Sequence, residues 1–404
     1  ASKHRSRSSG AKTILASRQS SEKSSASRGT AAIIDGGRCP LYEPMDHNEI
    51  LSWLREDDPA RLAELWRHAD DVRREYVGDE VHLRGLIEIS NHCVRHCAYC
   101  GLRADHGRLA RYRMTEQEIL TCVRQAVGFG YGTIVLQSGE DPGITRAWME
   151  RVIRHIKAET PLAVTLSLGE REPEELAAWR AAGADRYLLK FETSRRALYE
   201  RIHPPRAAGR SDRLALLAVL GELGYEVGSG AMVGIPGQSY DDLARDIKLF
   251  ASLELDMIGV GPYLPHPETP LGEPGRGARL GEDQQAPNTE LMTCKVVALT
   301  RLVCPRANIP ATTALATAGG EAGRDTALQR GANVVMPNLT PTPYRRLYEI
   351  YPERAGLDEM PEEFDARLRE HLAAISRPVG RGHGDSPRGL SRFSANRRRQ
   401  SNTP

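Results

Sequence analysis

No apolar run in the 404 residues reaches the ~18 or more that a membrane span needs, so the sequence predicts a soluble protein with no membrane contact. Charge of one sign is also lacking. The 55 Lys and Arg against 53 Asp and Glu leave +2, and the basic excess sits largely in the two ends. The middle of the chain thus carries no nucleic-acid signature, and charge names no partner. Cysteines are few, odd in number at seven, unevenly spread, and absent beyond Cys304. That excludes a secreted disulfide framework and points to a reducing compartment, with a cytoplasmic location expected. What remains, 40% apolar and 27% charged content, suffices for one large domain with a full core.

Acids are almost missing from residues 1–40, where Glu22 and Asp35 are the only ones among many Ser, Arg and Lys. Such a segment cannot pack a core and is expected to be a disordered tail. Its composition is equally that of an organelle transit peptide, which keeps an organelle as the alternative location. Residues 377–404, rich in Gly, Arg and Ser, are expected to be disordered too. Residues 41–84 form an N-terminal helical extension. Asp46 or Asn48 can cap its first helix, and Leu51, Leu54, Leu62, Leu65 and Trp66 recur at helical spacing. Residues 353–376 supply a C-terminal helix.

From residue 85 to 352 short apolar runs alternate with amphipathic ones. Strands are expected at LIEIS (86–90), TIVLQSG (133–139), AVTLSL (163–168), RYLLKFE (186–192), EVGSGAMVG (226–234), MIGVGPY (257–263), IPATTAL (309–315) and ANVVMPN (332–338). Helical stretches such as TEQEILTCVRQAVGFG and YDDLARDIKLFASL fall between them. Eight such units in this length predict an α/β fold, a closed (β/α)8 TIM-type barrel with its site at the strand C-termini. An open doubly wound sheet is the alternative.

After the first strand comes SNHCVRHCAYCGLR, in which Cys93, Cys97 and Cys100 stand as C-x3-C-x2-C. Three thiolates on one loop can hold three irons of a four-iron four-sulfur (4Fe-4S) cube and leave the fourth open. An open iron can chelate S-adenosylmethionine (SAM), and an electron passed to the sulfonium then yields a 5′-deoxyadenosyl radical. The competing reading is a zinc site, with His92 or His96 as fourth ligand, which would make the chain a non-catalytic metal-binding barrel. Cys39, Cys122, Cys294 and Cys304 read as isolated small residues.

With Tyr99 as the aromatic before the last cysteine, the triplet resembles the radical SAM superfamily. Further runs resemble its HydE family of FeFe-hydrogenase maturases: RYRMT (111–115), VLQSGEDP (135–142), VTLSLGE (164–170), AGADRYLLKFET (ending at Thr193), MVGIPGQ (232–238), GVGPYLPHPETPL (259–271), NIPATTA (308–314) and GANVVMPNLTPTPYRRLY (331–348). The similarity spans about residues 41 to 352. It implies one 4Fe-4S cluster and SAM as cofactors, a small organometallic iron–cysteine complex as substrate, and the maturases HydG and HydF as partners. A second C-terminal cluster, carried by some HydE proteins, is not expected, because no cysteine follows Cys304. The same shortage argues against a biotin synthase, which needs further barrel cysteines. A methylornithine synthase of the PylB type stays as a rival within the superfamily.

Other residues join the candidate site. Ser138, Gly139 and Glu140 follow the second strand, where glycine permits close backbone approach and the carboxylate can receive the methionine ammonium. Lys190 and Glu192, two apart on the fourth strand, share a face and are costly to bury unpaired. The resemblance assigns both to SAM but leads one to expect Arg at 190, and Arg213 is the candidate compensating cation. Met232 and Gly259 belong to strand-end motifs facing adenine and ribose. Thr165 and Ser167, Thr312 and Thr313, and Asn338, Tyr344 and Tyr348 offer polar groups suited to an anionic substrate. His266 reads as structural, and no general acid or base can be named.

Overall fold

The structure, a computed structural model, describes residues 45–205, 212–273, 280–281 and 283–388. The expected N-terminal tail (1–40) lies outside the described residues. Two helices lead into the barrel. In α1 (His47–Arg55) the Asp46 carboxylate caps the first turn, accepting from Glu49 N at 2.8 Å, and Ile50 and Leu54, one turn apart, are fully buried. In α2 (Pro59–Val77), Asp58 caps, Pro59 opens the first turn, and Leu62, Leu65, Ala69 and Val72 line the inner face. Buried Lys295 secures this extension, its Nζ lying 3.0 Å from Asp57 and 3.2 Å from the Leu54 carbonyl.

The barrel strands are β1 (His82–Ser90), β2 (Thr133–Ser138), β3 (Ala163–Ser167), β4 (Arg186–Leu188), β5 (Glu226–Ser229), β7 (Met257–Ile258) and β9 (Val334–Val335), parallel in the order β7-β5-β4-β3-β2-β1-β9. Near-continuous burial along β1 to β3 fits strands covered on both faces. Residues 308–310 bridge the two edges. Asn308 pairs with Met257 and Pro310 with Val334, through Ile258 N to Asn308 O and Ala311 N to Val334 O, both 2.9 Å. The ring thereby closes at eight positions, the expected barrel.

Five expected strands fall well short of their apolar runs, ANVVMPN being a strand only at Val334–Val335. EVGSGAMVG and MIGVGPY each break: β6 (Met232–Val233) and β8 (Gly261–Pro262) leave the ring and pair with each other above it. The break falls where the Gly230 and Gly259 backbones meet, and a Cβ on Gly230 would strike the Gly259 carbonyl. RYLLKFE is a strand only to Leu188. In IPATTAL, Thr312 instead caps the helix α10 (Thr313–Leu328), its hydroxyl accepting from Leu315 N.

The C-terminal expectation needs a larger correction. Of the expected tail, residues 389–404 lie outside the described residues, but 377–388 are ordered and cover the barrel floor after helix α12 (Pro361–Ala374). Fully buried Arg186 holds Glu226 at 2.6 Å and also Asp385 and the His383 carbonyl. Arg84 Nη2 and Asn308 Nδ2 each donate to the Gly384 carbonyl at 3.0 Å, and Ser386 N donates to Glu226. Composition suggested disorder, but polar residues order readily when a ring of buried charges needs partners. Burial, followed by the Arg186 charge, pushes Arg84 down to about 9.

Candidate active site

The chain leaves β1 at Ser90 and enters the cysteine loop at the C-terminal mouth of the barrel. Cys97 is buried and Cys93 and Cys100 are half-buried. None is in a disulfide. Burial, then the neighbouring Cys93 charge, pushes Cys100 up to about 12; Cys97 is also pushed well up, through burial and then Cys100 and Cys93. Three thiols that burial holds against ionisation would need a bound cation to act as thiolate ligands.

The sulfur positions fit a single zinc ion poorly. Among the described residues, the set of three or more His, Cys, Asp or Glu whose ligand atoms all lie within 4.8 Å of one another is Glu140, Glu170 and His203; the cysteine sulfurs are spread wider. Zinc with bonds of about 2.3 Å would draw its sulfurs to about 3.8 Å apart. His96 is exposed and bonded to Asp105 at 2.8 Å. Wide sulfur spacing suits a polynuclear cluster, and the donor set of three thiols fits one with an open iron. The other described cysteines are remote from the loop in sequence and element: Cys122 on α3 (Glu116–Gly128), Cys294 and Cys304 on and after α9 (Glu290–Val303).

Nor is the Glu140, Glu170 and His203 group an empty metal site, since two guanidiniums occupy it. Arg213, the first residue of α7 (Arg213–Glu222), places Nε 2.9 Å from Glu170, and Nη2 3.4 Å from Glu140 and 2.6 Å from His203. Arg95, inside the cysteine loop, contacts the other ring nitrogen of His203 and lies 3.8 Å from both Glu140 and Glu170. Two cations balance two carboxylates around an imidazole in a buried network. Burial raises Glu140, opposed chiefly by Arg213. For Arg213 burial works against the charge, yet the groups around it, Glu170 and Glu140 among them, raise it overall.

Gly139 lies under the cysteine loop. A Cβ there would come within 2.7 Å of Cys93 Cβ and strike the His92 carbonyl, so glycine is required by contact with the loop. Ser138 donates to the Gly139 carbonyl at 2.6 Å. Lys190 Nζ lies 3.3 Å from Glu192, which also receives the Tyr99 hydroxyl at 3.4 Å. Arg213 reaches this pair by donating to the Lys190 carbonyl at 2.6 Å.

These groups line two adjoining cavities. A mouth pocket of about 220 Å³ is bordered by Cys93, Cys97, Cys100, Ser138, Gly139, Glu140, Ser167, Lys190, Glu192, Arg213 and Tyr348. A chamber of about 330 Å³ inside the ring is bordered by Tyr99, Cys100, Thr165, Lys190, Glu192, Met232, Gly259, Thr312 and Thr313, with apolar Leu86, Val135, Met257 and Met336. Tyr99, Cys100, Lys190 and Glu192 belong to both. The Thr165 hydroxyl is buried with no hydrogen-bond partner, an orphaned group suited to a bound ligand.

Tyr344 is not brought to the site. It lies on the turn α11 (Thr342–Arg345), stacks on Tyr112 at 4.6 Å and donates to Glu118 at 2.8 Å. Tyr348 lines the mouth pocket instead, its hydroxyl receiving Gln137 at 3.3 Å. His266 is buried and accepts from Glu268 N, a structural role. The sequence reading missed Arg95, Glu170 and His203, whose relation exists only once three loops meet. It also missed Arg354, which lines the chamber and pairs with buried Glu88, itself accepting from Asn338 Nδ2.

Residues 87–250 match the Radical SAM superfamily. The chain is 45% identical over 324 residues to the FeFe-hydrogenase maturase subunit HydE of Thermotoga maritima, covering 80% of this chain and 89% of that protein. It is 26% identical to 3-methylornithine synthase of Methanosarcina acetivorans, over 85% of this chain and 91% of that one. The crystal structure of methylornithine synthase (PylB) matches with a TM-score of 0.69 at 23% identity, over 84% and 95% of the two chains, a likeness of fold. With its cysteine loop at the mouth of such a barrel and this identity across most of a known maturase, the chain belongs to the HydE family of FeFe-hydrogenase maturases within the radical SAM superfamily.

Proposed function

We propose that the protein is a radical SAM enzyme of FeFe-hydrogenase H-cluster maturation that holds one 4Fe-4S cluster on Cys93, Cys97 and Cys100 and acts on a small organometallic iron–cysteine complex. The observation that carries this reading is the junction of the cysteine mouth pocket with the apolar chamber through Tyr99, Cys100, Lys190 and Glu192. Cys93, Cys97 and Cys100 would hold the cluster, which when bound would supply the electron for reductive cleavage of SAM. Glu140, kept in a charge-balanced network by Arg213 and Arg95, receives the methionine ammonium. Lys190, Glu192 and the Thr165 hydroxyl hold the polar edge of SAM, and the Met232 and Gly259 backbones leave room for adenine and ribose. Thr312 and Thr313 present polar groups at the chamber wall. The apolar wall excludes water, so a radical formed at the mouth meets the substrate before it meets solvent.

HydG as supplier of the substrate complex and HydF as acceptor of the product complete the proposed setting. The test is reconstitution: anaerobic protein added to HydG, HydF, SAM, reductant and unmatured FeFe-hydrogenase. Hydrogenase activity that depends on this chain supports the reading. Failure to activate, together with formation of 3-methylornithine from lysine, contradicts it in favour of the mutase.

A further inference from the structure

The cysteine loop and the strand-like run after it, residues 91–114, hold five arginines and three histidines against one acid, Asp105. Four of the arginines have carboxylate partners. Arg95 lies by Glu140 and Glu170, Arg103 by Asp105 at 2.5 Å, Arg108 by Glu268, and Arg113 by buried Asp141 at 2.6 Å. Arg111 is different. Its half-buried guanidinium donates to backbone carbonyls: Nη1 to Asn91 at 2.6 Å and Leu102 at 2.8 Å, Nη2 to Arg103 at 2.7 Å and His106 at 3.5 Å. Asn91 precedes the three cysteines and the other carbonyls follow them, so one side chain ties the two ends of the loop together. Among the described residues Arg111 makes no ion pair with a carboxylate, and it lies close enough to Cys93 and Cys100 for its charge to act on both thiols.

A cluster gains one negative charge on reduction, and its potential depends on net charge and on hydrogen bonds around it. A cation paired with a carboxylate offers little net field, whereas one satisfied by neutral carbonyls keeps its full charge in a partly buried setting, where screening is weak. We propose that Arg111 is a positioning residue that also sets the cluster's redox poise: its four carbonyl bonds close the cysteine loop, and its uncompensated charge raises the reduction potential. The inference rests on the cluster reading above. It assigns to Arg111 the task of easing the one-electron reduction, by an external low-potential donor, that must precede SAM cleavage.

The test is a redox titration of the full, anaerobically reconstituted chain, with dithionite as reductant and the reduced-cluster paramagnetic signal as readout, alongside iron and sulfide analysis. Arg111→Gln removes the charge, Arg111→Lys keeps it without the four-carbonyl fork, and Arg108→Gln removes an exposed, paired charge on the same loop. In Arg111→Gln the ratio of reduced to oxidised cluster at the wild-type midpoint falls about tenfold, a shift of about 59 mV to lower potential for one electron. Arg111→Lys stays close to wild type, and Arg108→Gln does not move. A wild-type potential in Arg111→Gln overturns the proposal. So does a shift in Arg111→Lys as large as that in Arg111→Gln, or loss of iron from both, since either reduces Arg111 to a loop brace. A wild-type chain that takes up no iron and sulfide overturns the cluster reading itself, an outcome distinct from a cluster whose potential ignores Arg111.

Discussion

Lys190 Nζ and Glu192 Oε2 lie 3.3 Å apart, and the Glu192 backbone that presents the carboxylate is left-handed, with φ of 64°. Strand alternation would also put them on one face, but β4 ends at Leu188, and pairing resumes only as a single bridge from Glu192 to Ala231. A non-glycine residue held in that region costs on the order of 1 kcal/mol, so the turn is retained for the carboxylate it delivers. Glu192→Gln is expected to weaken SAM binding about 10- to 100-fold, the worth of one charge-assisted hydrogen bond, with iron content unchanged. Glu192→Gly, which relieves the strain, should lose the same affinity without loss of thermal stability. Titration of the reduced cluster signal with SAM reads both.

Gly139→Ala places a methyl group against Cys93 Cβ and the His92 carbonyl. The loop must move to admit it, at a cost of about 1–3 kcal/mol. The expected outcome is a folded chain that retains clearly less iron and sulfide than wild type under identical reconstitution. Full occupancy with an unshifted midpoint for cluster loss would show that the loop is not seated on Gly139.

Removal of residues 382–404 takes Asp385 and the His383 and Gly384 carbonyls away from Arg186 and Arg84. Leaving buried charge short of partners costs about 3 kcal/mol or more. Urea unfolding should show that loss, whereas Asp385→Asn, at a half-exposed carboxylate, loses about 1 kcal/mol or less. Equal stability of the truncated and full chains would mean that the floor segment is only draped over the barrel.

The barrel was legible in the alternation of apolar runs, and the cysteine loop in its spacing, because both signals are local in sequence. Strand ends were not. EVGSGAMVG reads as one strand, yet Gly230 lets its second half cross toward Gly259 and pair elsewhere, which no single run announces. Tyr344 and Tyr348, one turn apart, look equivalent in sequence, but Tyr344 is held by Glu118 and Tyr112 and only Tyr348 reaches the pocket. Arg95, Glu170 and His203 acquire meaning only from three-dimensional contact. The C-terminal segment misled for the opposite reason, since Gly, Arg and Ser suit a charged floor as well as they suit disorder.

Asp246, on α8 (Tyr240–Ser252), accepts Ser194 N at 2.6 Å and Gln238 Nε2 at 3.3 Å, fixing the chain just beyond Glu192. Burial raises its pKa from 3.8 to about 7, only partly opposed by the bonds from Ser194. Between about pH 4 and pH 7 the folded chain thus binds a proton that the unfolded chain lacks, so this group's contribution falls as pH rises through that window and is flat above it. Asp246→Asn keeps an acceptor for Ser194 and does not titrate. Its stability relative to wild type should improve by up to about 1.4 kcal/mol per pH unit across the window, as read by urea unfolding of both chains at pH 5 and pH 8. A difference independent of pH would contradict the assignment.

The central claim is that Cys93, Cys97 and Cys100 hold a cluster whose fourth iron is open to SAM. Its most direct test is electron paramagnetic resonance of the anaerobically reconstituted, dithionite-reduced protein with and without SAM. The account predicts a reduced 4Fe-4S signal that changes shape on SAM addition, formation of 5′-deoxyadenosine, and loss of both in Cys97→Ala. A chain that assembles no cluster, or a cluster signal indifferent to saturating SAM, would contradict it.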